Sequence, residues 1–130
     1  MSIDSIGNFL TIIRNGIKIS KPWVVAPYSR MNKSIADILL KEGFVREVEE
    51  TETDGKKGLK VVLKYVDGES VIHDLARVSK LSRRTYKGVG EIKPVIGGLG
   101  LSIMTTDRGV ISHKDAKKLG VGGEIICTVW

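Results

Sequence analysis

The residues with the most chemical content lie late in the chain, in Thr105-Thr106-Asp107-Arg108-Gly109 and again in Gly122-Gly123-Glu124. Small hydroxyl residues beside a glycine suit a tight turn that exposes polar atoms and backbone amides, and a double glycine lets a strand approach another surface closely. The hydroxyls of Thr105 and Thr106 both donate and accept, which suits base edges and 2′-hydroxyls. Glu124 only accepts. On a basic face it costs phosphate affinity, yet it can take a hydrogen bond from an exocyclic amine or a 2′-hydroxyl; the competing expectation is an ion pair inside the protein. Tyr86 has Arg84 and Lys87 close by, so its ring could pack on a sugar or base while the cations hold phosphates. It could equally be a strand tyrosine half in the core. Together these residues describe a backbone-rich surface that reads the shape of a polyanion.

Catalytic templates fit poorly. With two histidines and one cysteine, His73, His113 and Cys127, no metal-ligand cluster has workable spacing, and no cofactor, metal or small-molecule substrate is expected. His73 and Asp74 are adjacent in what reads as a strand, so their side chains should point to opposite faces. His113 falls in the first turn of a basic helix and is expected to face solvent. The cluster Gly97-Gly98-Leu99-Gly100 lacks a phosphate-loop lysine and precedes a strand instead of following one. The chain is therefore expected not to be an enzyme; the remote alternative is a small hydrolase or nuclease using His73, Asp74 and His113. Cys127 lies in an apolar strand, where a small buried residue is the expectation.

Charge supports the polyanion reading. The formal net charge is +6 over 130 residues, and it is unevenly placed. Residues 1–70 hold 11 Lys/Arg against 10 Asp/Glu, whereas residues 71–130 hold 10 against 5. The second half is thus the expected nucleic-acid face. A single cysteine excludes an intramolecular disulfide and fits a reducing compartment. No apolar run approaches the length of a membrane span, and Asp4 without a basic stretch argues against a secretory leader. A cytoplasmic or organelle-matrix protein without membrane partners is expected.

The elements that must position these residues form an α+β chain of two small lobes, 1–75 and 76–130, with the boundary near residues 74–80. Ile6, Phe9, Leu10, Ile13 and Ile17 predict an amphipathic helix over 4–18, stopped by Lys21-Pro22. Trp23–Pro27 reads as a short strand. Met31, Ile35, Ile38 and Leu39 mark a second helix ended by Gly43. Residues 44–52 and 58–66 alternate with period two and join through Asp54-Gly55, giving an αβαββ lobe. Glu47, Glu49, Glu50, Glu52 and Asp54 are expected on the solvated face and tip of that hairpin. Asp67-Gly68 is another turn, and residues 71–75 read as a further strand. From Arg77 the chain becomes basic and glycine-rich, mostly β with one short helix. Residues 99–106 predict a strand, Ser112 and Asp115 a capped helix closed by Gly120, and residues 124–130 the last strand, with Trp130 over its end.

At this level the chain resembles a known family. The pattern Gly100-x-x-Ile103-Met104-Thr105-Thr106-x-x-Gly109-Val110-Ile111, followed by Ala116-Lys117, is similar to the signature of the bacterial-type eighth protein of the small ribosomal subunit. The likeness extends through Asp4-x-Ile6-x-x-x-Leu10-Thr11-x-Ile13-Arg14-Asn15, Arg77-Val78-Ser79-Lys80, Arg84-x-Tyr86 and Gly122-Gly123-Glu124-Ile125-Ile126-Cys127. The resemblance implies two α+β lobes, binding to a helix in the central domain of small-subunit ribosomal RNA, a part in assembly, and neighbouring small-subunit proteins as partners. A messenger RNA that imitates the ribosomal site, bound for regulation, is the alternative target. The residues implicated are Arg84, Tyr86, Lys87, Thr105, Thr106, Arg108, Gly109, Gly122, Gly123 and Glu124, with a secondary set of Arg14, Asn15, Ser29, Arg30, Lys33 and Lys117. Asp107 departs from the family loop by placing a carboxylate where a neutral hydroxyl is usual, and Leu81-Ser82 stand where many members have Pro-Gly. With about 5% aromatic residues, base stacking cannot dominate, so a paired RNA read through its shallow minor groove is expected.

Overall fold

The structure, a computed structural model, describes residues 4–80, 82–91 and 100–130, which form an α+β protein. It divides into two compact units, Ser5–His73 and, separately, Asp4 with Asp74–Trp130.

The first unit is built as its apolar spacing dictates. Helix α1 (Ser5–Lys18) buries Phe9, Leu10, Ile13 and Gly16, and it ends where Ser20 adopts a left-handed φ of 54° before Pro22. Strand β1 (Trp23–Pro27) alternates exposed and buried residues. Helix α2 (Arg30–Lys41) starts at Ser29, whose hydroxyl accepts the Asn32 N–H at 3.0 Å. It stops before Gly43, which takes φ +80°. Strands β2 (Val45–Thr53) and β3 (Lys56–Leu63) join through Asp54-Gly55, both at positive φ as a type I′ turn requires. The antiparallel order is β1-β3-β2. Its inner face places Val24, Ala26, Leu59, Val61 and Leu63 in the core with Ile35 and Leu39 of α2, while the five acidic hairpin residues are exposed. Asp67-Gly68 turns a small hairpin of β4 (Tyr65–Val66) and β5 (Glu69–Ser70).

Of the strand expected over 71–75 only the end forms, as the start of β6 (Leu75–Arg77), and Asp74 extends its pairing with the last strand by one step through both backbone groups to Trp130 at 3.0 and 3.1 Å. His73 lies in the connection that precedes it. The rest of the second unit comprises β7 (Tyr86–Lys87), a 3₁₀ turn (Val89–Glu91), β8 (Leu101–Thr106), β9 (Gly109–Ser112), α3 (His113–Leu119) and β10 (Gly123–Val129). The sheet runs β6-β10-β8-β9, and β7 pairs with the start of β10. Strand β9 was not anticipated from sequence. Met104 and Ile125 pair across β8 and β10 and pack on Ala116 of α3 with Val78, Ile111 and Val121. As expected, the Ser112 hydroxyl caps α3 by accepting Asp115 N–H at 3.2 Å, and Gly120 closes it at φ 70°. The glycine cluster at 97–99, Lys93 and Leu81 lie outside the described residues.

Candidate RNA interface

Three strands converge where the double glycine begins β10. Gly123 pairs with Lys87 of β7, and Glu124 pairs with Tyr86 on one side and with Thr105 of β8 on the other. Directly opposed residues of an antiparallel sheet present side chains on the same face. Tyr86, Glu124 and Thr105 thus form one row across β7, β10 and β8. The glycines make this possible. A Cβ on Gly122 would lie 2.5 Å from the Lys87 carbonyl oxygen and 2.7 Å from Gly88 Cα, and one on Gly123 would overlap the Thr105 carbonyl. The surface that the double glycine approaches is therefore its own neighbouring backbone.

Tyr86 is 67% exposed and projects from the sheet, so it is not half in the core. The Glu124 side chain is 12% exposed and pairs with Arg84, whose Nη1 donates to Oε2 at 3.0 Å. Both expectations for Glu124 survive this geometry: it has an internal cation, and Oε1 takes no hydrogen bond among the described residues. Glu124 also holds the Arg84 guanidinium protonated above its ordinary range, first through this hydrogen bond. Arg84 is placed by a neighbouring clamp. Buried Ser79 accepts the Thr85 N–H through Oγ at 2.7 Å and donates to the Thr85 carbonyl, while Lys80 and Arg83 close a turn through reciprocal backbone bonds. Sequence reasoning missed Ser79 as a support and Arg84 as the partner of Glu124; only tertiary pairing across 40 residues shows the latter.

The hydroxyl-rich loop is the β8–β9 turn. Asp107 and Arg108 are its tip, and Gly109 takes φ +101°. Thr106 Oγ1 accepts the Arg108 N–H and donates to the Gly109 carbonyl, both at 3.0 Å. Thr106 thus stitches the turn and keeps one lone pair, whereas the Thr105 hydroxyl makes no hydrogen bond among the described residues. Arg108, Gly109 and Lys87 are exposed, and so is Lys117 on the last turn of α3. In the other unit, Arg14 and Asn15 lie on α1, and Arg30 is exposed at the start of α2. There Ser29 works as the α2 cap, and Lys33 pairs with Asp37 at 2.8 Å.

His113 corrects an expectation. It is 6% exposed, and its Nδ1 accepts the Ser102 N–H at 3.0 Å, which leaves the ring proton on Nε2. Its position on α3 turns it into the sheet. Cys127 is fully buried as expected, and burial pushes its thiol up to about 12, with Arg77 opposing.

The model of the family described as "Ribosomal protein S8" matches residues 4–130. This chain belongs to that family. The small ribosomal subunit protein uS8 of Thermus thermophilus is 44% identical over the whole of both chains. Those of Acidobacterium capsulatum and Caldanaerobacter subterraneus are 47% and 49% identical, covering 98% of this chain and 97% of theirs. The family match spans the Tyr86–Glu124–Thr105 row, both glycines and the β8–β9 turn. Among the described residues, no helix is long and apolar enough to cross a membrane.

Proposed function

We propose that this chain is a constituent of the small ribosomal subunit that binds the central domain of small-subunit ribosomal RNA through the lobe over residues 76–130. The observation that carries the reading is the row of Tyr86, Glu124 and Thr105 beside two glycines that admit no side chain. An exposed ring, an acceptor and a hydroxyl share one face, with the Arg84 guanidinium paired to Glu124 beside them; exposed Lys87, Arg108 and Lys117 add positive charge elsewhere on the same lobe. Cations supply affinity by displacing counterions, and the fixed polar atoms discriminate. The single row is too narrow for a stacking platform and suits the shallow minor groove of a paired RNA, where 2′-hydroxyls are presented. The relatives' names place them in the small subunit, which supports the same assignment here.

The test is titration of the full chain against nested fragments of small-subunit ribosomal RNA and an unrelated duplex of equal length. A central-domain fragment should bind at least tenfold more tightly than the duplex. Equal affinities for all fragments would overturn the reading.

A further inference from the structure

Strand β1 lies at the edge of its sheet and, among the described residues, pairs only with β3. Antiparallel strands alternate residues that bond the neighbour with residues whose backbone groups point away. Leu63 N–H donates to the Pro22 carbonyl at 2.9 Å and Tyr28 N–H to the Lys57 carbonyl at 3.3 Å, which sets the phase. Val24 and Ala26 therefore bond β3, and the N–H and C=O groups of Trp23 and Val25 face outward.

The two edges of this sheet differ in protection. The β2 edge carries Arg46, Glu47, Glu49, Glu50 and Glu52, and such charges oppose pairing with another chain. Strand β1, Trp-Val-Val-Ala-Pro, has none. Val25 is 53% exposed, Trp23 48% and the nearby Ile19 71%. A groove follows this edge, lined by Ile12, Asn15, Gly16, Ile19, Lys21 and Val25. Gly16 sets its depth, because a Cβ there would run into Val24 and push α1 away. Residues 12–27 contain Arg14, Lys18 and Lys21 and no acidic residue, and Lys60 sits 4.6 Å above the Trp23 ring on the outer face.

We infer that the β1 edge takes up an extended segment of a partner protein, alternating apolar and acidic residues, as an added strand. Its backbone would meet Trp23 and Val25, its inward apolar side chains the α1 groove, and its outward carboxylates Lys60. An RNA strand could use the cations, but it offers no backbone repeat that matches alternating N–H and C=O groups, and the groove walls are apolar.

The experiment is amide hydrogen exchange of the full chain over residues 21–28, with and without the other small-subunit proteins freed of RNA; this choice of probe rests on the function proposed above. Lys21, Val24, Ala26 and Tyr28 are bonded in the free chain, so protection should rise by two amides, those of Trp23 and Val25. Val25→Pro removes an outward N–H and no bond to β3, so it should abolish the added protection while Tm holds; if that variant does not fold, Ile19→Glu should do the same. No gain with the protein mixture overturns the proposal. So does an equal gain with ribosomal RNA alone, or one that grows with the chain's own concentration. Affinity for central-domain RNA is read in parallel: RNA binding without added protection overturns this proposal alone, and absence of RNA binding overturns the function.

Discussion

Arg84 Nη1 lies 3.0 Å from Glu124 Oε2, a pair made by residues 40 positions apart. The guanidinium offsets the carboxylate's repulsion of phosphates and fixes its plane, and Oε1 stays available to accept from a ligand. Glu124→Ala should weaken central-domain RNA by about tenfold, the loss of one charge-assisted hydrogen bond. General electrostatics predicts the opposite sign, because removing a negative charge helps any polyanion bind. Arg84 is half exposed, so its loss of a partner should leave thermal stability nearly unchanged. Tighter binding to cognate and unrelated RNA alike would make Glu124 a bystander.

Thr105 and Thr106 should separate recognition from folding. Thr106→Ala removes both bonds that stitch the turn and should lower stability by roughly 1 kcal/mol in a denaturation midpoint. Thr105→Ala breaks no bond among the described residues, so it should lower cognate affinity with stability intact. Equal stability losses in the two variants would contradict this division.

The double glycine is a backbone requirement. Gly123→Ala should destabilise by about 1–3 kcal/mol, because its methyl would meet the Thr105 carbonyl in a packed sheet. Gly90→Ala is the control: among the described residues a Cβ there meets nothing within 4 Å, so it should stay within about 0.5 kcal/mol of the parent. Urea unfolding of both variants decides the matter.

Cys127 predicts an alkaline weakness. Its thiol is raised from an ordinary 9.0 to about 12 by burial, so the folded state resists losing the proton. A raised pKa contributes stability that is fully present below about 9 and lost as pH climbs toward 12. Tm of the parent should therefore fall more steeply than that of Cys127→Ala over this window. Parallel curves would mean that Cys127 does not carry the effect.

The first unit was legible because its signals are local. Period-3.6 and period-2 spacing placed α1, β1, α2 and the β2–β3 hairpin within a few residues, and Asp54-Gly55 takes the turn its composition demands. The second unit was less so. Strand β7 has two residues and β9 four, too short for alternation to show. His113 was misplaced because its partner, the Ser102 N–H, belongs to β8, and helix position alone does not reveal which way the ring turns. The candidate row was legible only as residue types: the sequence offers Tyr86, Thr105 and Glu124 separately, and sheet register puts them side by side.

In the proposed function, cations draw a central-domain RNA onto the Tyr86–Glu124–Thr105 face, where polar atoms discriminate. The most direct measurement is affinity for that RNA and for unrelated duplex across a salt series. With on the order of four to six phosphates engaged, log K against log salt should have a slope of about −3 to −5 on the cognate fragment. The cognate preference should persist at physiological salt. A slope near zero, or a preference that vanishes as salt rises, would contradict the account.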